Sequence, residues 1–318
     1  MQLRLDLVCA AIIISNAHAF SGVLFQKTPT LQRTAPSKKD GVDIQLPDFE
    51  ELFTRISQVS PLARRVIESH NAISNNRKAF DTGDLQWSTI ESNPRRLVNH
   101  VEKIDNFDGK GAPILRFRSS MEGPCVGEYF ADFIMTLERR ALWDPQIDEV
   151  YELYPIHDLD AANIAMNFGR YGDCSRLGIG YCRTKANIVS AREQLTLCGI
   201  QDFEDGSCII WGTEMEDWHD HMLPPGKRVT RAKSHIFSTT LTPTGANSFD
   251  VEYVLQLNIG GKIPSWMTAP IVTDTVKNLF KTADQYFRGK DGHLAEFIKQ
   301  KQMESDSLIK RHSLLMTP

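Results

Sequence analysis

The chain of 318 residues lacks most of the short signatures by which chemistry is read from sequence. It has no Gly-rich phosphate loop, no Ser/His/Asp motif and no nucleophile elbow, which removes the common nucleotide-binding and acyl-transfer classes. None of its six cysteines forms a C-x-x-C pair, so neither a zinc ribbon nor a thioredoxin motif is supported. Positive charge is not in excess: the formal net charge is −4, the opposite of a polyanion-binding signature, and no nucleic-acid partner is expected. The apolar run Leu7–Ile14 is too short to span a bilayer. No internal repeat or low-complexity tract stands out.

What is present begins with an N-terminus unlike the rest. Met1–Asp6 is polar and carries Arg4, the apolar run follows, and Ala17-His18-Ala19 has the small-x-small form of a signal peptidase site. Residues 20–39 hold Lys27, Arg33, Lys38 and Lys39, no acid, and frequent Ser and Thr, a composition that resembles a transit peptide. A signal peptide (1–19) running into such a segment (20–39), with Phe20 directly after Ala-His-Ala, resembles the bipartite plastid presequence of algae with secondary plastids. Plastid import is therefore expected, and secretion with an unstructured start is the alternative. Residues 1–39 hold five basic groups and one acid, so their removal leaves a charge of about −8 and an acidic mature domain. Cys9 would leave with the signal. The odd, scattered remainder reads as buried free thiols of a reducing or mixed compartment.

Along the chain, residues 40–84 form an N-terminal segment in which Asp48–Phe80 carries helical spacing. Leu85–Ile90, Arg95–Asp105 and Pro113–Ser119 read as strands, and Cys125–Trp143 reads as a helix through Val126, Phe130, Phe133, Ile134, Leu137 and Ala141. Glu149–Tyr154 is a strand. Leu159–Gly180 reads as irregular, with a short helix or an inserted loop. Strand-like runs then follow from Tyr181 to Ile259, separated by Asp205-Gly206, Pro224-Pro225-Gly226 and Thr244-Gly245, which implies an antiparallel meander rather than βαβ units. Gly292–Pro318 is polar and helical at best, within a tail of residues 290–318.

The strongest pattern closes the domain. In Phe249–Ile259 every odd position is apolar, and Asp250, Glu252, Gln256 and Asn258 alternate with them, a period of two that predicts a half-buried strand. Gly260-Gly261 and Pro264 stop it. Val272, Val276, Leu279, Ala283 and Phe287 then form the apolar stripe of a long helix. The fold class expected is α+β: one curved antiparallel sheet gripping a long C-terminal helix, with an inner helix and an N-terminal helix.

Four motifs in this order resemble the StAR-related lipid-transfer (START) domain, a helix-grip fold. Arg140-Ala-Leu-Trp143-Asp144 is similar to its Arg-x-x-Trp-Asp, Ser190-Ala-Arg192-Glu193 to its Ser-x-Arg-Asp-Phe strand, and Val229-Thr-Arg231-Ala232 to its Val-Arg-Ala strand. Leu257-Asn258-Ile-Gly-Gly261-Lys-Ile263-Pro264 is similar to its Asp-x-x-Gly-x-Ile-Pro turn. The match covers residues 85–289. Glu193-Gln194 and Asn258 depart from the family's usual Asp-Phe and Asp. The resemblance implies a non-enzymatic domain that holds one lipid in a tunnel between sheet and helix and transfers or presents it between membranes. It would act as a monomer in transient contact with a membrane surface.

The resemblance makes Arg192 the cavity arginine, and Glu214, in the neighbouring strand candidate, the acid expected to pair with it around a phosphate or hydroxyl head. Trp211 and Tyr253 are candidates to line the pocket or stack on a choline group. Arg231, Asn258, Val276 and Leu279 complete the candidate ligand contacts. Each has a structural reading beside it: Arg192, Glu214 and Arg231 as surface charges, Trp211 and Tyr253 as plain core, Asn258 as a cap on the turn before Pro264. Trp218-His219-Asp220-His221 has metal-like spacing but runs into Pro224-Pro225-Gly226, so no metal and no cofactor is expected. The ligand could be a sterol, phospholipid, galactolipid or pigment. The alternatives are a cyclase- or hydrolase-like enzyme in the same cavity, or a lipid-sensing scaffold whose terminal segments bind a protein.

Overall fold

The computed structural model describes residues 38–39, 42–43, 87–105, 112–124, 144–155, 159–166, 174–186, 190–202, 206–214, 228–288, 294–303 and 306. The expected helices Asp48–Phe80 and Cys125–Trp143, the signal peptidase site and the His219/His221 cluster lie outside them, as does Cys125.

Lys38–Lys39 (β1) and Val42–Asp43 (β2) form a small antiparallel pair. The domain proper is a ten-stranded sheet. Its strands are Ser88–Ser92 (β3), Val98–Ile104 (β4), Ile114–Glu122 (β5), Ile147–Pro155 (β6), Arg176–Thr184 (β7), Arg192–Asp202 (β8), Cys208–Glu214 (β9), Thr230–Arg231 (β10), Lys233–Gly245 (β11) and Ser248–Asn258 (β12). Their order is β3-β4-β5-β12-β11-β9-β8-β7-β6, with β10 paired in parallel beside β8 and every other pairing antiparallel. The consecutive run from β7 to β12 is the expected meander. Its last strand turns back to meet β5, so the two ends of the sequence pattern share one sheet. The described fold also holds the helices Leu159–Met166 (α1) and Ser265–Phe287 (α2) and a further helical stretch over residues 294–303, from which Phe297 joins the main core.

One expectation is corrected. Leu159–Gly180 is not irregular to its end: it opens with α1, and strand β7 is under way from Arg176. Gly178 and Gly180 lie inside that strand and read from sequence as breaks, yet both are paired, opposite Cys198 and Thr196.

Alternation decides which side of the sheet meets α2. Tyr253 of β12 packs edge-on against Phe280 of α2, with ring centroids 6.1 Å apart. The register then carries that face across the sheet. Tyr253 lies opposite Thr239 and Phe117, Leu255 opposite Phe237 and Leu115, and Val251 opposite Leu241. Phe237 lies opposite Gly212, Gly212 opposite Cys198, and Glu214 opposite Thr196. The apolar side chains among these, with Ile271, Val272, Val276, Leu279, Phe280 and Ala283 of α2, form the main core, while Asp274, Asn278 and Lys281 stay in solvent. Burying each such apolar side chain stabilises the fold by about 1.5–3 kcal/mol, so the stripe on α2 commits it to this face.

The opposite face is also buried over β7, β8 and β9. Ile179, Tyr181, Leu195, Leu197 and Trp211 are all nearly inaccessible. Toward β4, β5 and β12 that face turns charged: Arg116 pairs with Glu102 and stacks 4.0 Å from the Trp87 ring, and Arg118 pairs with Glu252.

Candidate functional site

The site is built from the turn that launches α2. Gly260 and Gly261 both adopt left-handed backbone (φ +64° and +78°), and a Cβ on Gly260 would lie 2.7 Å from the Arg231 carbonyl. Only glycine meets both conditions without strain. Asn258 is exposed, and its Oδ1 accepts the Gly260 N–H at 2.9 Å, so it caps the turn. Pro264 then opens the helix, its carbonyl accepting the Met267 N–H at 2.9 Å.

Arg192 is buried beneath this turn. Its Nε donates to the Ile259 carbonyl at 2.9 Å, and its Nη1 donates to the Ser190 carbonyl and, at 2.7 Å, to Ser190 Oγ. The guanidinium thus clamps the strand end that carries the helix. Its pairing with Glu214 is corrected. Glu214 stands across from Thr196, four residues further along β8, roughly 13 Å away at about 3.3 Å per residue. The partner of Glu214 is His235, whose Nδ1 meets Oε1 in a close contact, and Lys233 Nζ lies 3.9 Å from Oε2.

Two expected lining residues are on the other side. Trp211 lies opposite Gly199 and Ser238, away from α2, and its indole so fills the space above Gly199 that a Cβ there would sit 2.4 Å from Cζ2. Arg231 reaches Glu193 at 3.0 Å on that same far face, where Glu193 also accepts the Tyr181 hydroxyl at 3.1 Å. Burial, and then the adjacent Glu193 carboxylate, push the Tyr181 hydroxyl pKa far up, so it stays a donor at all physiological pH. This network holds β10 to β8 and is remote from the helix. Tyr253, Val276 and Leu279 do face the interior between sheet and α2, with Tyr253 ringed by Phe117, Phe237 and Phe280.

The helix face gathers polar residues, of which Arg192 and Glu214 were expected from sequence and Gln194, Thr196 and His235 were not. Along β8 it carries Arg192, Gln194 and Thr196 in succession, beside Glu214 of β9 and His235 of β11. All are buried. Among the described residues, Gln194 finds no hydrogen-bond partner for either its amide nitrogen or its amide oxygen, and His235 finds none for Nε2. The hydroxyls of Thr239 on β11 and Thr273 on α2 are buried without a partner as well. Each such group costs about 1–3 kcal/mol unless something bonds to it. Their signal in the sequence was faint: His235, Phe237, Thr239 and Leu241 alternate with one another, but nothing in that run says which side meets a helix.

The described cysteines, Cys174, Cys182, Cys198 and Cys208, are buried free thiols. Burial raises the Cys208 pKa, so it is an inert apolar filler rather than a nucleophile.

Comparison with solved structures follows the same architecture. Human STARD10 superposes with a TM-score of 0.53 at 17% identity, covering 82% of this chain and 89% of that one. Human StAR-related lipid transfer protein 5 superposes with a TM-score of 0.51 at 15% identity, covering 75% of this chain and 99% of that one. The chain has the START-like helix-grip fold. No family model and no curated protein matches the sequence. Within the START-like fold, Gln194, Glu214 and His235 are buried on the same side of the sheet, the side that packs on α2.

Proposed function

We propose that the protein binds a single lipid in an internal apolar pocket between the sheet and α2, and that it transfers or presents that lipid between membranes. The observation that carries this reading is the set of unpartnered buried polar atoms on Gln194 and His235, on the side of the sheet that also carries the apolar core against α2. An apolar side chain of the same shape would avoid their cost. Their retention fits a bound molecule that supplies the missing hydrogen bonds, with its apolar body against Val276, Leu279 and Tyr253. The likeness to a StAR-related lipid transfer protein supports the same reading.

In this reading α2 acts as the lid and Gly260-Gly261 as its hinge. The protein works as a monomer touching membranes transiently, and the presequence delivers it to a plastid. The test is mass spectrometry of lipid extracted from the purified protein, joined to a transfer assay between donor and acceptor vesicles. Bound lipid at about one molecule per chain and transfer above the spontaneous rate are expected. Absence of both across a broad lipid panel sinks the proposal.

The Glu214–His235 contact favours one second reading, an enzyme acting on a hydrophobic substrate, because a carboxylate oriented on an imidazole is the usual support of a general base. Incubating the bound lipid with the protein and finding it chemically unchanged would remove this alternative.

A further inference from the structure

We infer that the lipid is uncharged and carries a hydroxyl in its head, and that this hydroxyl is read by Gln194 together with His235; the inference rests on the lipid-binding reading above. Gln194 offers a free donor and a free acceptor at one point, both buried. A group that accepts and donates at once satisfies them, and a hydroxyl does both. A phosphate only accepts when ionised and would leave the Gln194 oxygen without a donor, at the cost of an unmade buried bond.

The surrounding charges point the same way. Glu214 is a buried acid on this face, and it repels an anion. Two fixed cations must be weighed against it. Lys233 is already turned toward Glu214 and is half in solvent. Arg192 donates to Ile259 and Ser190 oxygens and so is held at the turn, not extended into the interior. An arginine free to grip a phosphate presents two parallel donors to it. Here Nε and Nη1 are both engaged by the chain itself. Thr239 and Thr273, with free hydroxyls elsewhere on the facing walls, add neutral partners and no charge.

The test uses the full chain. Phosphatidylcholine vesicles carry, in separate arms and at equal mole fraction, a tracer of dioleoylglycerol, cholesterol, monogalactosyl dioleoylglycerol or dioleoylphosphatidic acid. Protein is separated from vesicles by gel filtration and the retained tracer is counted. At least one hydroxyl-headed tracer is expected at about tenfold or more over phosphatidic acid, the scale of one unmade buried hydrogen bond. The three neutral arms identify which kind of lipid supplies the hydroxyl. Gln194→Leu is expected to bring the neutral-to-phosphate ratio close to one. That ratio does not depend on how much of the variant folds. Phosphatidic acid retained equally or better overturns the inference while leaving the carrier reading intact, and so does an unchanged ratio in Gln194→Leu. Retention of no tracer at all overturns both.

Discussion

Glu214 of β9 and His235 of β11 meet across adjacent strands, both buried, with the carboxylate against Nδ1 of the ring. A buried pair of this kind is weak evidence for stability, because its attraction must first offset the loss of water from both partners. Removing one partner is different. His235→Leu removes the imidazole from against a buried carboxylate, and is expected to cost about 3 kcal/mol in chemical denaturation. The double variant Glu214→Leu/His235→Leu should recover most of that loss while remaining poor in lipid retention. A double variant as unstable as the single would show that the pair is not a coupled unit.

How much of this was visible in advance depends on the element. The alternation of Phe249, Val251, Tyr253, Leu255 and Leu257 locates β12 and its helix face correctly, because a half-buried strand writes its orientation into its sequence. The stripe from Val272 to Ala283 does the same for α2. Strand β9 behaves otherwise. Ile209, Ile210 and Trp211 are apolar on both faces, so no alternation tells which of them sees the helix, and Trp211 falls on the far side. Glu214 and Arg192 do share a face, but only the hairpin register, invisible in sequence, separates them by four residues and hands Glu214 to His235.

Trp211 therefore offers a clean separation of fold from ligand. Gly199→Ala drives a Cβ into the indole at 2.4 Å and is expected to destabilise the protein by about 1–3 kcal/mol. Trp211→Phe should also lower the melting temperature. Neither should alter which lipid tracer is preferred, since both act on the face away from α2. A changed tracer preference in Trp211→Phe would place the indole in the pocket after all.

The hinge makes a graded prediction. Both glycines have a left-handed φ, but a Cβ on Gly260 approaches the Arg231 carbonyl to 2.7 Å, whereas a Cβ on Gly261 meets Arg192 Nη2 at 3.3 Å and Thr230 Cγ2 at 3.8 Å. Gly260→Ala should cost about 2–3 kcal/mol and Gly261→Ala about 1 kcal/mol. Arg192→Lys, which loses the paired contacts to Ile259 and Ser190, should behave like the former rather than as a conservative change. Thermal or urea unfolding orders the three, and equal costs at the two glycines would refute the backbone clash.

Helix α2 is also tied at its side, and that tie is sensitive to pH. Lys277 of α2 forms an ion pair with Glu91 of edge strand β3, and Arg96 pairs with the same carboxylate. The hydrogen bond from Lys277, aided by both positive charges, holds the Glu91 pKa below its ordinary value. A depressed carboxylate pKa means that the unfolded chain takes up its proton first as pH falls. The contribution of Glu91 is therefore complete above the ordinary glutamate range near ~4.3, and is lost as pH drops through the lower folded value. Because the pair is partly solvated its worth is small, about 0–1 kcal/mol. Its effect should show more clearly in kinetics. Glu91→Gln frees the middle of α2 from the sheet edge, so lipid exchange with vesicles at neutral pH should quicken several-fold with little change in melting temperature. Acid below the ordinary glutamate range near ~4.3, where Glu91 takes up its proton, should quicken exchange in the parent but not in Glu91→Gln. Parallel acid responses in the two proteins would show that this ion pair does not restrain the helix.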